Sequence, residues 1–325
     1  MAPFRLVMLG MWHSHASGIV TRVANHPKEF ELVGFYDPDP KVVEKRRSEW
    51  APKLPHFRVF RNLQELLQQD IDGVVVEGHI HENIPYARQA LEAGKHVMLE
   101  KPGGSDLGEY QGLIDLAQRK HLLVQMIYLF RYKPNVAEMI ERRRQGELGD
   151  PYMFRARMPK PLGSYDRYKE LFTRFPGGIF FEMACHVIDM MVSVMGKPKK
   201  ITPFMGSHHP EAEDFVDNGL AVFEFDHGWG VIEVPTLEVS PNTRRIEVYG
   251  TGGSLYIEHL GHNDLFVHRA GGEWRKIVHD PVPLQLPDLR EFAACVRREK
   301  EPTYSFQHDL AVQEAHLRAC GAIKS

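Results

Sequence analysis

Two stretches of the 325-residue chain carry side chains that can do chemistry. The first is ALEAGKHVMLEKPGG, from Ala90 to Gly104. Ile84, Ala87, Ala90 and Leu91 fall on one helical face, with Pro85 in the first turn and Gly94 as the stop. His96 to Leu99 reads as a short buried strand, and Glu100 and Lys101 follow it. In a parallel sheet, ligands bind beyond the carboxyl ends of the strands, so a charge at that point faces a crevice. Pro102 holds Lys101 extended, across a bond that can be trans or cis, and Gly103-Gly104 lets the chain turn behind it. From position alone the plainer reading is a solvated lysine at a strand end.

The second stretch is GGIFFEMACHVIDMM, Gly177 to Met191. Two glycines open a helix on which Glu182, His186 and Asp189 stand at i, i+4 and i+7, on one face. The other positions are almost all apolar, so the helix is buried. Ionisable groups there need partners or a function. A core histidine satisfied by its helical glutamate is the plainer alternative.

Composition narrows the class. The length suits two domains, and 43% apolar with 26% charged residues is the balance of a soluble globular enzyme. The formal net charge is -3, with basic residues scattered among acids, which argues against nucleic acid and anionic membranes as partners. Cys185, Cys295 and Cys320 are odd in number and far apart, which suggests neither a disulfide framework nor a cysteine zinc site and suits a reducing, cytoplasmic setting. Phe4 to Met11 is too short for a signal peptide and reads as the first strand. No segment approaches the roughly 20 apolar residues of a membrane span.

Phe4 to Gly10, Ala16 to Asn25 and Phe30 to Phe35 form a strand, a helix and a strand that closes on Asp37. An acid at that point, about 20 residues after a glycine loop, accepts hydrogen bonds from an adenosine ribose. With Pro38 and no arginine behind it, Asp37 favours NAD over NADP. A turn aspartate in Asp37-Pro38-Asp39-Pro40 remains the alternative. The loop itself departs from G-x-G-x-x-G: it reads Gly10-Met11-Trp12-His13-Ser14-His15, with Trp12 and His15 where the second and third glycines belong. Leu63 to Leu67 is a short helix and Gly73 to Val76 a β-branched strand. His13 and His15, then His79 and His81, are H-x-H pairs whose side chains align if the backbone is extended. Four imidazoles near Glu77 have the chemistry of a zinc-type site. In a chain with 18 histidines the expectation is polar lining of the crevice and no metal.

Leu107 to Arg119 is an amphipathic helix and Leu122 to Ile127 the last strand of a first domain, residues 1–128. A second domain, 129–325, begins with the linker YLFRYKP and a helix from Val136 to Arg144, whose Arg142, Arg143 and Arg144 read as a solvated helix end. Tyr152 to Met158 alternates as a strand. Pro159 to Arg174 reads as a loop, with Tyr165, Asp166, Arg167 and Tyr168 placed either over a polyhydroxylated substrate or simply at the surface. Ile201 to Phe204, Gly219 to Phe225, Gly230 to Val239, Arg245 to Gly250, Ser254 to Glu258, Leu265 to His268 and Trp274 to Val278 are successive strands. Leu289 to Arg297 and Leu310 to Ala322 are closing helices. The fold class is α/β: a Rossmann-type doubly wound parallel sheet, then an α+β domain whose large, mainly antiparallel sheet leaves one broad face open.

The run A-L-E-A-G-K-H-V with E-K-P, the linker R-Y-K-P, and G-G followed by Glu182, His186 and Asp189 closely resemble the Gfo/Idh/MocA family of nicotinamide-dependent oxidoreductases. The resemblance implies that Lys101 reaches a substrate hydroxyl beside the nicotinamide and that His186 removes or returns its proton. Glu182 stands where the family has a supporting aspartate and is one methylene longer. Gly10, Trp12, His13, Asp37, Gly78, His79, Glu100 and Lys101 fall at cofactor-binding positions. Gly78, His79 and Ile80 replace the usual T-P-N triplet, and Asn83 a usual histidine. The implied activity is NAD-linked oxidation or reduction at a secondary hydroxyl or ketone of a sugar, polyol or related small molecule. The implied assembly is a homodimer or homotetramer through the open sheet face. The rival readings are a lyase or hydrolase on the same scaffold, using tightly bound NAD or a metal, and a non-catalytic binding protein.

Overall fold

Buried β-branched runs alternating with amphipathic helices set the architecture of the first half of the chain. The computed structural model describes residues 2–54, 56–163, 165–238 and 243–323. It shows β1 (Phe4–Leu9), α1 (His15–Asn25), β2 (Phe30–Tyr36), α2 (Pro40–Trp50), α3 (Leu63–Leu67), β3 (Gly73–Val76), α4 (Ile80–Glu92), β4 (His96–Glu100), α5 (Leu107–Lys120) and β5 (Val124–Ile127). The five strands pair in parallel in the order β2-β1-β3-β4-β5. Strand order therefore reverses between β1 and β3, and the crevice of such a sheet opens beyond the carboxyl ends of those two strands.

Two local expectations fail here. Pro85 is not in a first turn: α4 begins at Ile80, so the proline lies inside the helix. The side chain of Glu82 accepts from the His79 amide at 2.9 Å, and Ile80 and Ile84 are buried. Together they fix a start early enough to tolerate the hydrogen bond that Pro85 cannot donate. Helix α2 was not anticipated, because its charged face (Lys41, Glu44, Lys45, Arg47, Ser48) hides the two residues it buries, Arg46 and Trp50.

The second half builds α6 (Pro134–Arg144), β6 (Pro151–Arg157), α7 (Tyr165–Phe172), α8 (Ile179–Met195), β7 (Lys200–Gly206), β8 (Asn218–Phe225), β9 (Gly228–Pro235), β10 (Arg245–Gly250), β11 (Gly253–Ile257), β12 (Asp264–Arg269), β13 (Trp274–Val278), α9 (Leu286–Val296) and α10 (Phe306–Ala319). The sheet order is β13-β12-β11-β10-β6-β9-β8-β7, and every pairing is antiparallel except β6 with β9. Of the strand expected from Gly230 to Val239, β9 ends at Pro235, and Val239 lies outside the described residues. Ile201, Phe223, Ile232, Phe154, Val248 and Leu255 are buried on one face, against which α8 packs. The register puts Phe204, Trp229, Tyr249, Tyr256 and Trp274 on the other face.

The segment from Pro159 to Arg174, expected as a loop, holds helix α7 over half its length. Tyr165 is buried, its hydroxyl donates to Asp217 at 3.2 Å, and its ring stacks on His209 at 4.3 Å. Phe172, two turns along on the same face, is buried too, so Tyr165 and Phe172 are the packed side of α7.

The chain forms two compact units, Met1–Leu129 with Pro283–Phe306 and Phe130–Val282 with Gln307–Ser325. Sequence reasoning assigns all of 129–325 to one domain. The return of 283–306 has a packing cause: Leu286, Leu289 and Phe292 join the buried cluster of Phe4, Leu6 and Met8, and the Phe292 ring meets Phe4 edge-on at 5.8 Å. No described helix is long and apolar enough to cross a membrane.

That returning segment buries Asp288, whose carboxyl burial pushes up to about 7. Its Oδ1 accepts from the Leu289 amide at 3.1 Å, while Oδ2 has no hydrogen-bond partner. Because the folded value exceeds the unfolded one, the folded state holds the proton longer, and Asp288 costs stability progressively as pH rises from about 4 to about 7. Interiors respond with an effective dielectric nearer 20 than 4, so the expected size is ~1–2 kcal/mol. Asp288→Asn should gain on the wild type in Tm between pH 5 and pH 8. An unchanged difference across that range would contradict the assignment.

Candidate active site

The loop after β1 is built against the end of β3. Gly10 adopts φ 75°, and a Cβ there would stand 2.3 Å from the Cα of Gly78. The glycine is therefore required by the close approach of two backbones. The His13 amide donates to the Glu77 carbonyl at 3.0 Å, so both altered loops share one edge of the sheet. Trp12, in the second glycine's place, stacks its indole on His79 at 4.3 Å. His79 is the N-cap of α4.

Arg46, which sequence reasoning missed, holds this loop from behind. Its guanidinium donates to the carbonyls of Met11 (2.6 Å), Trp12 (2.9 Å) and His13 (3.1 Å) and to Glu49 (2.7 Å). Three successive carbonyls are thereby committed to one buried cation, a fixed fork no lysine reproduces. Asp37 accepts from the Met11 amide at 2.7 Å and the Asp39 amide at 2.9 Å. The turn reading of Asp37 is thus realised, and each oxygen keeps a second lone pair for another donor.

At the ends of β3 and β4 lies a buried ionisable cluster. Glu77 and Glu100 are fully buried, Lys101 is 2% exposed and His13 6%. Nδ1 of His15 lies 3.0 Å from both oxygens of Glu100. Nδ1 of His13 lies 3.4 Å from Glu100 and 3.5 Å from Glu77. Burial, with Glu100 adding its charge, pushes the Glu77 carboxyl up to about 8. Burial acts on Glu100 too, but His13, His15 and Lys101 outweigh it and hold that carboxyl below its usual range. Burial also lowers the His15 imidazole, against the pull of Glu100. The pair therefore divides, with Glu77 holding a proton and Glu100 ionised. The H-x-H pairs are not extended: His15 opens α1, and His79 and His81 sit at the start of α4. Among the described residues only the first pair joins a carboxylate within 4.8 Å, in the set His13, His15 and Glu100.

Lys101 follows β4 as expected, but it is not solvated, and its bond to Pro102 is cis. The α1 N-terminus lacks a side-chain cap and carries the positive end of the helix dipole, a usual seat for a pyrophosphate. With Gly10 in its glycine-only conformation and Asp37 at the end of β2, the unit's residues suit a dinucleotide.

In the second unit, Gly177 and Gly178 take φ 79° and 50° and start α8. A Cβ on Gly178 would stand 2.4 Å from the Val216 carbonyl, so no larger residue fits there. His186 is 5% exposed and meets the ring of Phe130 edge-on at 4.9 Å. Glu182 is half-buried one turn earlier. Asp189, the third member of the face, is claimed by Arg131, whose Nε and Nη2 donate to it at 2.6–3.0 Å, and by His308 at 2.9 Å. Arg131 also reaches Asp309 at 2.5 Å. Burial raises the Asp189 carboxyl, but Arg131 and His308 outweigh it, for a net lowering.

Two family models match the chain. Residues 4–128 match the oxidoreductase family with an NAD-binding Rossmann fold, and residues 136–256 match the GFO/IDH/MocA C-terminal domain. The chain belongs to the Gfo/Idh/MocA oxidoreductase family. Relatives within this family include the scyllo-inositol 2-dehydrogenase (NAD(+)) of Bacillus subtilis, 27% identical over 316 residues, or 92% of this chain and 87% of the relative. The myo-inositol 2-dehydrogenase of Thermotoga maritima is 26% identical over 229 residues, 67% of this chain and 66% of that protein. The same fold occurs in the UDP-N-acetylglucosamine 3-dehydrogenase GnnA from Acidithiobacillus ferrooxidans (TM-score 0.82, 17% identity, 100% of this chain and 99% of that one). It occurs also in the WlbA dehydrogenase from Chromobacterium violaceum, solved with NADH and UDP-GlcNAcA (TM-score 0.81, 17% identity, 98% and 94% covered). As a Gfo/Idh/MocA protein this chain is an NAD(P)-linked oxidoreductase.

Proposed function

We propose that the protein interconverts a secondary alcohol and its ketone on a cyclic polyol or sugar, with NAD as the preferred dinucleotide. Lys101 carries this reading: an amine buried directly after β4, one strand from the point where the order of a dinucleotide-binding sheet reverses. The inositol specificity of two relatives, one of them matched over nearly its full length, supports the substrate class. Asp37 favours NAD, since an acid accepts from a free ribose hydroxyl and repels a 2′-phosphate.

In this reading the α1 N-terminus and the Arg46-held loop seat the pyrophosphate, and Gly10, Trp12, His13, Gly78, His79 and Glu100 line the cofactor. The bound nicotinamide supplies the hydride acceptor or donor. Lys101 donates a hydrogen bond to the substrate oxygen and stabilises its developing negative charge. His186 takes the hydroxyl proton in oxidation and returns it in reduction, while Glu182 orients the imidazole. The open sheet face, with Phe204, Trp229 and Trp274 each more than half exposed, pairs two copies of the chain. No disulfide joins Cys185, Cys295 and Cys320, in keeping with the cytoplasm.

Titration with NADH, followed by energy transfer from the tryptophans, tests the cofactor reading. Saturable binding in the micromolar range or tighter, several-fold stronger than for NADPH, is expected. The absence of saturable binding by either dinucleotide would defeat it.

A further inference from the structure

We propose that His13, His15 and Glu100 bind a divalent transition-metal cation of the zinc type, with the Glu77 carboxylate beside it. Two imidazoles and one carboxylate, with a fourth position left for water or a substrate oxygen, form a recurring catalytic zinc set. Ligands about 2.0–2.2 Å from a tetrahedral ion stand roughly 3.3–3.6 Å from one another. Oε1 of Glu100 lies 3.0 Å from Nδ1 of His15 and 3.4 Å from Nδ1 of His13, and all three ligand atoms fall within 4.8 Å. Adjustments of a few tenths of an ångström to about one ångström bring them onto a common ion.

A second observation points the same way. Glu77 is fully buried, and neither of its oxygens has a hydrogen-bond partner. Its Oε2 lies 3.5 Å from Nδ1 of His13. A buried carboxyl in that condition keeps its proton, and a cation that displaces the proton completes the group.

The ring nitrogen of His13 faces conflicting demands. Accepting from the His15 amide at 3.3 Å requires its lone pair, whereas facing Glu77 and Glu100 requires an N–H. A cation among them takes imidazole lone pairs and both carboxylates together.

The backbone is fixed in advance. The His13 amide is tied to the Glu77 carbonyl and its carbonyl to Arg46, and His15 is the first residue of α1. The other comparable cluster among the described residues, Asp189, His308 and Asp309, already contains a cation, the Arg131 guanidinium.

Full-length protein stripped with a chelator should be titrated with Co²⁺ alone, by calorimetry and visible absorption, followed by displacement with Zn²⁺. We expect one Co²⁺ per chain with Kd in the micromolar range or tighter, and the intense visible bands of four-coordinate cobalt. His13→Ala and Glu100→Gln should each weaken binding at least about 100-fold, and Glu77→Gln about 10-fold. If Glu100→Gln does not fold, His15→Asn, at a partly exposed position, serves in its place. No binding tighter than about 1 mM, or binding unchanged in His13→Ala and His15→Asn, overturns the site. NADH binding measured on the same metal-free sample is an independent readout, so failure of one leaves the other standing.

Discussion

Lys101→Met lowers kcat/KM by about 10²- to 10⁴-fold, nearly all of it in kcat, with NADH affinity close to that of the wild type. Methionine keeps most of the apolar stem, so the 2%-exposed position stays filled and the change is confined to the amine. The amine acts only where charge develops on a substrate oxygen, and interactions made in the transition state alone appear in kcat. Glu100 loses one of the three groups that hold its carboxyl low, His13 and His15 being the others. The variant should therefore fold, with a Tm a few degrees lower. The assay is steady-state turnover of an inositol or sugar with NAD, alongside circular dichroism. Wild-type kcat in a folded Lys101→Met protein would remove the lysine from the reaction, and an equal fall in kcat/KM carried by KM alone would make it a binding residue.

The sequence displays some of this site and conceals the rest, for reasons of range. Gly73 to Val76 is readable as a strand because three adjacent valines behind a glycine suit only a strand buried on both faces. Lys101 is readable because its position follows from neighbours a few residues away: a helix stop, a short strand and a proline. Arg46 is not. Its contacts lie 33–35 residues upstream, and nothing in KRRSEW distinguishes the arginine that turns inward from the one that turns outward. The pairing of His15 with Glu100 spans 85 residues and depends on β1 and β4 flanking β3, a matter of strand order. The two H-x-H pairs look equivalent in sequence. They differ in the fold because one straddles the end of a loop and the other lies within a helical turn, where period-2 alignment is lost. Helix α7 shows the opposite failure: a segment that reads as a loop is in part a short helix, because its charged residues mask the i, i+7 spacing of buried Tyr165 and Phe172. The return of Phe292 onto Phe4 is beyond any local pattern.

Arg131→Met destabilises the fold by about 3–5 kcal/mol, the largest stability effect expected of any single substitution in the second unit. Arg131, Asp189 and Asp309 have side chains only 1–3% exposed, and the guanidinium donates to both carboxylates. Replacing the pair by apolar residues can be neutral, but removing the cation alone strands two acids in a medium that cannot solvate them. The pH dependence separates this from mere loss of packing. In the wild type the Asp189 carboxyl is held low, so its contribution is present at neutral pH and is lost only as pH falls through that depressed value. Without Arg131, burial is opposed only by His308, both carboxyls rise, and the sign reverses: stability then increases as pH falls and the acids take up protons. Asp309 already leans that way, since burial keeps it above its usual value even with the arginine present. The deficit of Arg131→Met, read from urea midpoints, should therefore shrink between pH 8 and pH 5, and adding Asp189→Asn and Asp309→Asn should recover much of it at pH 8. A deficit below about 1 kcal/mol, or one indifferent to pH, would mean that the linker arginine does not hold these acids to α8 by charge.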